Sequence, residues 1–153
     1  MYTQKVDRDN YKDSKKPEIN NDKFITAFVD GSFCPETKSW GIGAWVRMGS
    51  KKGITFSLSG SEGINSTEVE LIGLNEIKKF LLDQDINEKI IVIQCDNISA
   101  LEKFNFKELK YNGAQFVKLK HVKAHNNSGS KRSYVNNLVD KLAKSAMRSI
   151  RGY

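Results

Sequence analysis

The chain has 153 residues, 39% hydrophobic and 28% charged, with only two prolines; this is the size and composition of one soluble globular domain and excludes a fibrous or largely disordered protein. No segment approaches the ~20 apolar residues needed to cross a bilayer, and the polar N-terminus lacks the apolar core of a secretory signal, so the cytoplasm is the expected compartment. The net charge of +7 is unevenly placed: residues 1–102 hold 13 Lys/Arg against 16 Asp/Glu, and residues 103–153 hold 12 against 2. The last third is therefore either a polyanion-binding face or a solvated basic surface.

Residues 1–22 carry five Lys/Arg and five Asp/Glu with no apolar period and read as a flexible polar tail before a domain spanning 23–153. The apolar run Phe24 to Val29 predicts a central strand that ends in a turn at Asp30-Gly31-Ser32. Trp40 to Arg47 is followed by a Gly/Ser/Lys turn and then by Ile54, Phe56 and Leu58 alternating with Thr55, Ser57 and Ser59. That pattern predicts an antiparallel hairpin whose second strand is half-exposed.

From Ser66 the period becomes helical, with Glu70, Leu74, Ile77 and Leu81 on one stripe. Lys89 to Cys95 is a second apolar strand that ends at Asp96. A short helix from about Asn97 to Phe104, an irregular stretch over 105–115 and a strand around Phe116 to Val122 follow. The last helix carries a stripe of Val135, Leu138, Val139, Leu142, Ala146 and Ile150, with Lys141, Lys144, Arg148 and Arg151 off it. Cys34 and Cys95 have neither paired nor metal-ligand spacing and read as reduced thiols.

Asp30 and Asp96 each close an apolar strand, and on parallel neighbours about 4.8 Å apart their carboxylates would meet. Helical phase selects Glu70 over Glu68 to face the sheet, although Thr67-Glu68-Val69-Glu70 also matches a capping box. Asp140 sits mid-helix, where Asp has poor propensity; it is either solvent-exposed or at the rim of the sheet. Carboxylates within ~4 Å repel by about 4 kcal/mol per pair at an effective dielectric of 20. Divalent cations relieve that repulsion, and oxygen ligands without Cys or paired His favour Mg²⁺ or Mn²⁺ over zinc. His125 lies in a polar loop before the last helix, and His121, within a strand pattern, is given no role.

Phe28-Val29-Asp30-Gly31-Ser32, Gly41-Ile42-Gly43-Ala44, Glu70-Leu71, Cys95-Asp96-Asn97, Val122-Lys123-Ala124-His125 and Asn136 to Ala143, in this order, resemble the type 1 ribonuclease H family over residues 24–150. The resemblance implies an α/β fold with a mixed five-stranded sheet flanked by helices. It implies hydrolysis of the RNA strand of an RNA·DNA hybrid to 5′-phosphate and 3′-hydroxyl ends. Asp30, Glu70, Asp96 and Asp140 would be ligands of two Mg²⁺ ions, with Mn²⁺ as a substitute. His125 matches that family's mobile histidine, and Gly31, Ser32, Ser66 and Asn97 stand where its substrate contacts lie.

The sequence departs from that pattern at three places. Ser66 and Thr67 stand where the family often has an Asn, with Asn65 one step earlier. The His125–Asp140 interval is long. Residues 105–115 leave no room for the basic helix and loop that many members use to grip DNA, with Lys107 and Lys110 as partial substitutes. A proofreading-type exonuclease would begin with Asp-x-Glu, but Ser32 stands two residues after Asp30; a DNA-strand transferase would place its Glu on a late helix. The rival of a different class is a catalytically weak hybrid-binding module acting beside a polymerase or reverse transcriptase. A monomer is expected.

Overall fold

The computed structural model describes residues 21–62, 65–122 and 131–151. After a 3-10 turn at Asn21–Lys23 come β1 (Phe24–Phe33), β2 (Trp40–Met48), β3 (Ile54–Gly60), α1 (Ser66–Leu82), β4 (Ile90–Cys95), α2 (Ile98–Lys103), α3 (Lys107–Tyr111), β5 (Phe116–His121) and α4 (Lys131–Arg151). The tail expected over 1–22 lies outside the described residues up to position 20.

The apolar run of β1 takes the middle of the sheet, where α1 lies on one face and α4 on the other. Strand order is β3-β2-β1-β4-β5. β1 pairs antiparallel with β2 and parallel with β4, β2 pairs antiparallel with β3, and β4 pairs parallel with β5. The sheet is thus mixed, five-stranded and flanked by helices, as expected.

Side chains alternate across the sheet, so β1 feeds two layers. Ile25, Ala27 and Val29 of β1 join Ile91 and Ile93 of β4 in a core with Leu74, Ile77 and Leu81 of α1. On the other face Phe28 meets Val135 and Val139 of α4 beside Trp45, with the Phe28 and Trp45 rings edge-on at 5.9 Å.

Two glycines set how closely α4 lies on the sheet. A Cβ at Gly43 would overlap the Val139 carbonyl oxygen and come 2.6 Å from Leu142 Cβ, and one at Gly41 would overlap the Ala143 and Met147 backbone. Gly43→Ala should therefore push α4 outward at a cost of about 1–3 kcal/mol, as for overpacked cores. A urea midpoint equal to that of the wild type would contradict this close contact.

Four local expectations are corrected. β1 does not end at a turn. The antiparallel ladder with β2 continues through Asp30↔Gly43, Gly31↔Ile42 and Ser32↔Gly41, while the parallel ladder with β4 stops at Val29↔Cys95. Asp30 therefore lies inside a strand, one residue past the end of its parallel pairing. The burial of β3 does not alternate: it is an edge strand of which only Phe56 packs on α1, through Phe80, so Ile54 and Leu58 remain 45% and 38% exposed. The stretch 105–115 contains the short helix α3, anchored by buried Leu109. In α4 the buried line is Val135, Asn136, Val139, Ala143 and Met147, while Ile150 is exposed. Leu138, Leu142 and Ala146 are half-buried beside that line, with the Cβ atoms of Leu142 and Ala146 against Gly43 and Gly41.

Candidate active site

Four carboxylates reach one cleft from four elements. Asp30 leaves β1 on the α4 side of the sheet, and Asp140 descends from α4 on that side. Asp96 follows directly after β4, where the ladder with β1 has ended. Glu70 comes from the α1 side. A Cβ at Gly73 would come within 2.5 Å of Val29 Cγ2, so the glycine lets α1 lie close enough to β1 for Glu70 to reach past Gly31.

The capping box does not form. Asn65 caps α1 by accepting from the Glu68 N–H at 2.8 Å, which leaves Glu70 to accept from the Gly31 N–H through Oε2 at 3.1 Å. The same N–H also meets Asp30 Oδ1 at 2.9 Å. Asp30, Gly31, Glu70, Asp96, Asn136, Asn137, Asp140 and Lys144 line a cleft of about 220 Å³.

This cleft holds negative charge poorly by itself. Burial, reinforced by Glu70, Asp96 and Asp140, pushes the Asp30 carboxyl up to about 9. Burial and Asp96 push Glu70 up to about 7, against the lowering effect of hydrogen bonds from Cys95 and Gly31. Burial and Glu70 also push the Cys95 thiol far above its ordinary value. Lys144 Nζ lies 3.2 Å from Asp140 Oδ2, so the rim of the cleft carries its own counter-charge.

The donor set fits a hard divalent cation. Carboxylate oxygens predominate, and the potential donor atoms of Glu70, Cys95 and Asp96 lie within 4.8 Å of one another. A dication at such a cluster would replace the protons that Asp30 and Glu70 otherwise retain. Oxygen-rich surroundings of this kind suit Mg²⁺ or Mn²⁺.

The other residues singled out from the sequence fall into different places. Gly31 contributes its backbone N–H, and Ser32 lies in β1 opposite Gly41. Ser66 is exposed at the start of α1. The Asn97 side chain caps α2 by accepting from the Ala100 N–H at 2.9 Å, and its amide nitrogen donates to Thr67 Oγ1 at 3.3 Å. Asn97 thus ties the starts of α1 and α2 together. His125 lies outside the described residues. His121, given no role, places Nε2 3.2 Å from the Asp96 carbonyl oxygen.

Cys95, Asn136, Asn137 and Lys144 stand at the cleft or behind it without being marked by the sequence pattern. The last three could have been, because they stand three or four positions from Asp140 on a helix and so share its side. Cys95 carried no comparable signal. Its approach to Glu70 depends on how α1 lies across the end of β4.

No protein-family model matches the sequence, and a search of curated proteins finds no match. Solved structures do match in three dimensions. An RNase H1 isolated from compost, crystallised in complex with RNA/DNA hybrid, superimposes with a TM-score of 0.62 at 12% identity, covering 84% of this chain and 99% of that one. The fold is ribonuclease H-like. RNase H1 from the halophilic archaeon Halobacterium salinarum shares the ribonuclease H-like fold at a TM-score of 0.55 and 15% identity, over 82% and 98% of the two chains. The N-terminal RNase H domain of a Mycobacterium tuberculosis protein gives 0.58 at 14%, over 81% and 98%.

Proposed function

We propose that this chain is a type 1 ribonuclease H: a divalent-metal-dependent endonuclease that hydrolyses the RNA strand of RNA·DNA hybrids, leaving 5′-phosphate and 3′-hydroxyl ends. The observation that carries this reading is the convergence of Asp30, Glu70, Asp96 and Asp140 on one cleft of a ribonuclease H-like fold. These four residues are proposed to hold two Mg²⁺ ions, with Mn²⁺ as a substitute. Bound there, the cations would supply an activated water and stabilise the leaving oxygen of an in-line displacement.

The protein's part is placement. The Gly31 N–H holds Asp30 and Glu70 together, and Lys144 balances Asp140. His125 is assigned proton transfer. Gly31, Ser32, Ser66 and Asn97 are assigned substrate contact, with Asn97 acting mainly by fixing the α1–α2 junction. The five-residue α3 with its exposed Lys107 and Lys110 supports action beside a polymerase or reverse transcriptase that supplies further grip; a monomer in the cytoplasm is proposed with it. Among the described residues no helix is long and apolar enough to cross a membrane.

The test is cleavage of matched, end-labelled RNA·DNA hybrid, double-stranded RNA, duplex DNA and single-stranded RNA with Mg²⁺, Mn²⁺ or EDTA, alongside Asp96→Asn. Metal-dependent cutting confined to the hybrid's RNA strand and lost in the variant is expected. Hybrid binding without cutting would instead identify a binding module. Log affinity for the hybrid should fall by about 0.7–0.9 per phosphate contact per decade of salt. A flat response would remove the basic last third from the binding surface.

A further inference from the structure

Glu70 reaches the cleft from the helical layer, and its two carboxylate oxygens are held by two different elements. Oε2 accepts from the Gly31 N–H at 3.1 Å, and Oε1 accepts from the Cys95 thiol at 3.3 Å. The thiol is anchored in turn, because the Asn97 N–H points at Cys95 Sγ from 3.5 Å and Cys95 is 0% exposed. A carboxylate only 5% exposed needs donors in place of water. The terminal torsion of a glutamate is broad, so holding one oxygen leaves the other free to swing, whereas holding both fixes the plane of the group.

We infer that Cys95 is a positioning residue: its thiol fixes the Glu70 carboxylate through Oε1 while Gly31 holds Oε2, and this pair of contacts sets the affinity of the cleft for its divalent cation. The inference rests on the metal-binding reading given above. Cys95 stands at the end of β4, one residue before Asp96, on the face that turns toward α1 and away from the cleft. It acts on Glu70 from behind. Partners of this kind typically change metal affinity or activity by about 10–100-fold when removed. Apolar packing alone would be served equally by valine, which is similar in size and donates no hydrogen bond.

The experiment compares Cys95→Val with Cys95→Ser in the full chain. Mg²⁺ binding is measured by calorimetry without nucleic acid, beside the Mg²⁺ dependence of hybrid cleavage. Cys95→Val should weaken Mg²⁺ binding by about 10–100-fold while KM for the hybrid at saturating Mg²⁺ stays near wild type. Cys95→Ser, which keeps a donor, should remain close to wild type. Wild-type affinity in Cys95→Val would overturn the inference, and so would an equal loss in Cys95→Ser, because packing would then govern. Cys95→Ala serves in place of Cys95→Val if the valine protein does not fold. The thiol stretching band in a Cys34→Ala background gives a readout independent of metal and hydrolysis. A band shifted by hydrogen bonding is expected, and a free-thiol band would overturn the inference even in an active enzyme. A folded wild type with the shifted band and no Mg²⁺ binding would overturn the metal reading and the affinity effect with it.

Discussion

Asp30→Asn should abolish hybrid cleavage while making the metal-free protein more stable. Asp30 is 6% exposed, and burial with three neighbouring carboxylates pushes its pKa to about 9. The ionised side chain is therefore costly in the absence of cations and useful only in their presence. Asparagine keeps the shape and one carbonyl oxygen but loses the charge. Bound metal stabilises transition-state charge by several kcal/mol, and at 1.36 kcal/mol per tenfold a loss of roughly 10³-fold or more is expected. Hydrolysis assays under saturating Mg²⁺ and thermal melts in EDTA check the two halves separately. Cleavage near the wild-type rate would remove Asp30 from the site. Equal loss of activity and stability would make it a structural residue.

The stability of the metal-free protein should fall as pH rises, and Mg²⁺ should reverse the trend. Asp30 goes from an ordinary 3.8 to about 9 on folding, and Glu70 from 4.5 to about 7. Between each pair of values the folded state holds a proton that the unfolded state has released. Stability from these groups is thus fully present below about pH 4 and is lost as pH rises toward 9. Melting temperature in EDTA should decline from pH 5 to pH 9, with Glu70 contributing to the lower part of that range. A cation that binds only the folded state at 100 times its Kd adds about 2.7 kcal/mol, or roughly 5–10 °C at about 2–4 °C per kcal/mol for a domain of this size. The gain should be larger at pH 8 than at pH 5, since protons compete for the same oxygens. A melting temperature in EDTA that is flat from pH 5 to pH 9 would mean that the cluster is not strained by its own charge.

Much of the site could be read from local pattern. The apolar runs ending near Asp30 and at Asp96 marked central strands, because only strands covered on both faces dispense with alternation. The phase of α1 placed Glu70 toward the sheet and Glu68 away from it. Both follow from periods of two and 3.6 residues, which the chain carries without reference to anything distant.

Tertiary structure decided what those periods leave open. Asp-Gly-Ser read as a turn, yet β2 supplies a continuing partner and keeps Asp30 inside β1. The apolar stripe of α4 pointed to Leu138, Leu142 and Ala146, which are half-buried; Gly41 and Gly43 let the helix backbone approach β2, and Asn136, Ala143 and Met147 are buried more deeply. The N-cap of α1 is Asn65 and not Thr67, so Glu70 has no capping role and accepts instead from Gly31 and Cys95. By itself the sequence determined the five strands, the two long helices and the inward phase of Glu70, since these depend on neighbours within one or two turns; α3 and the place of Asp140 were left open. Which groups touch across the cleft was decided by the close approach of helices to glycine-bearing strands, a long-range fit that no local period encodes.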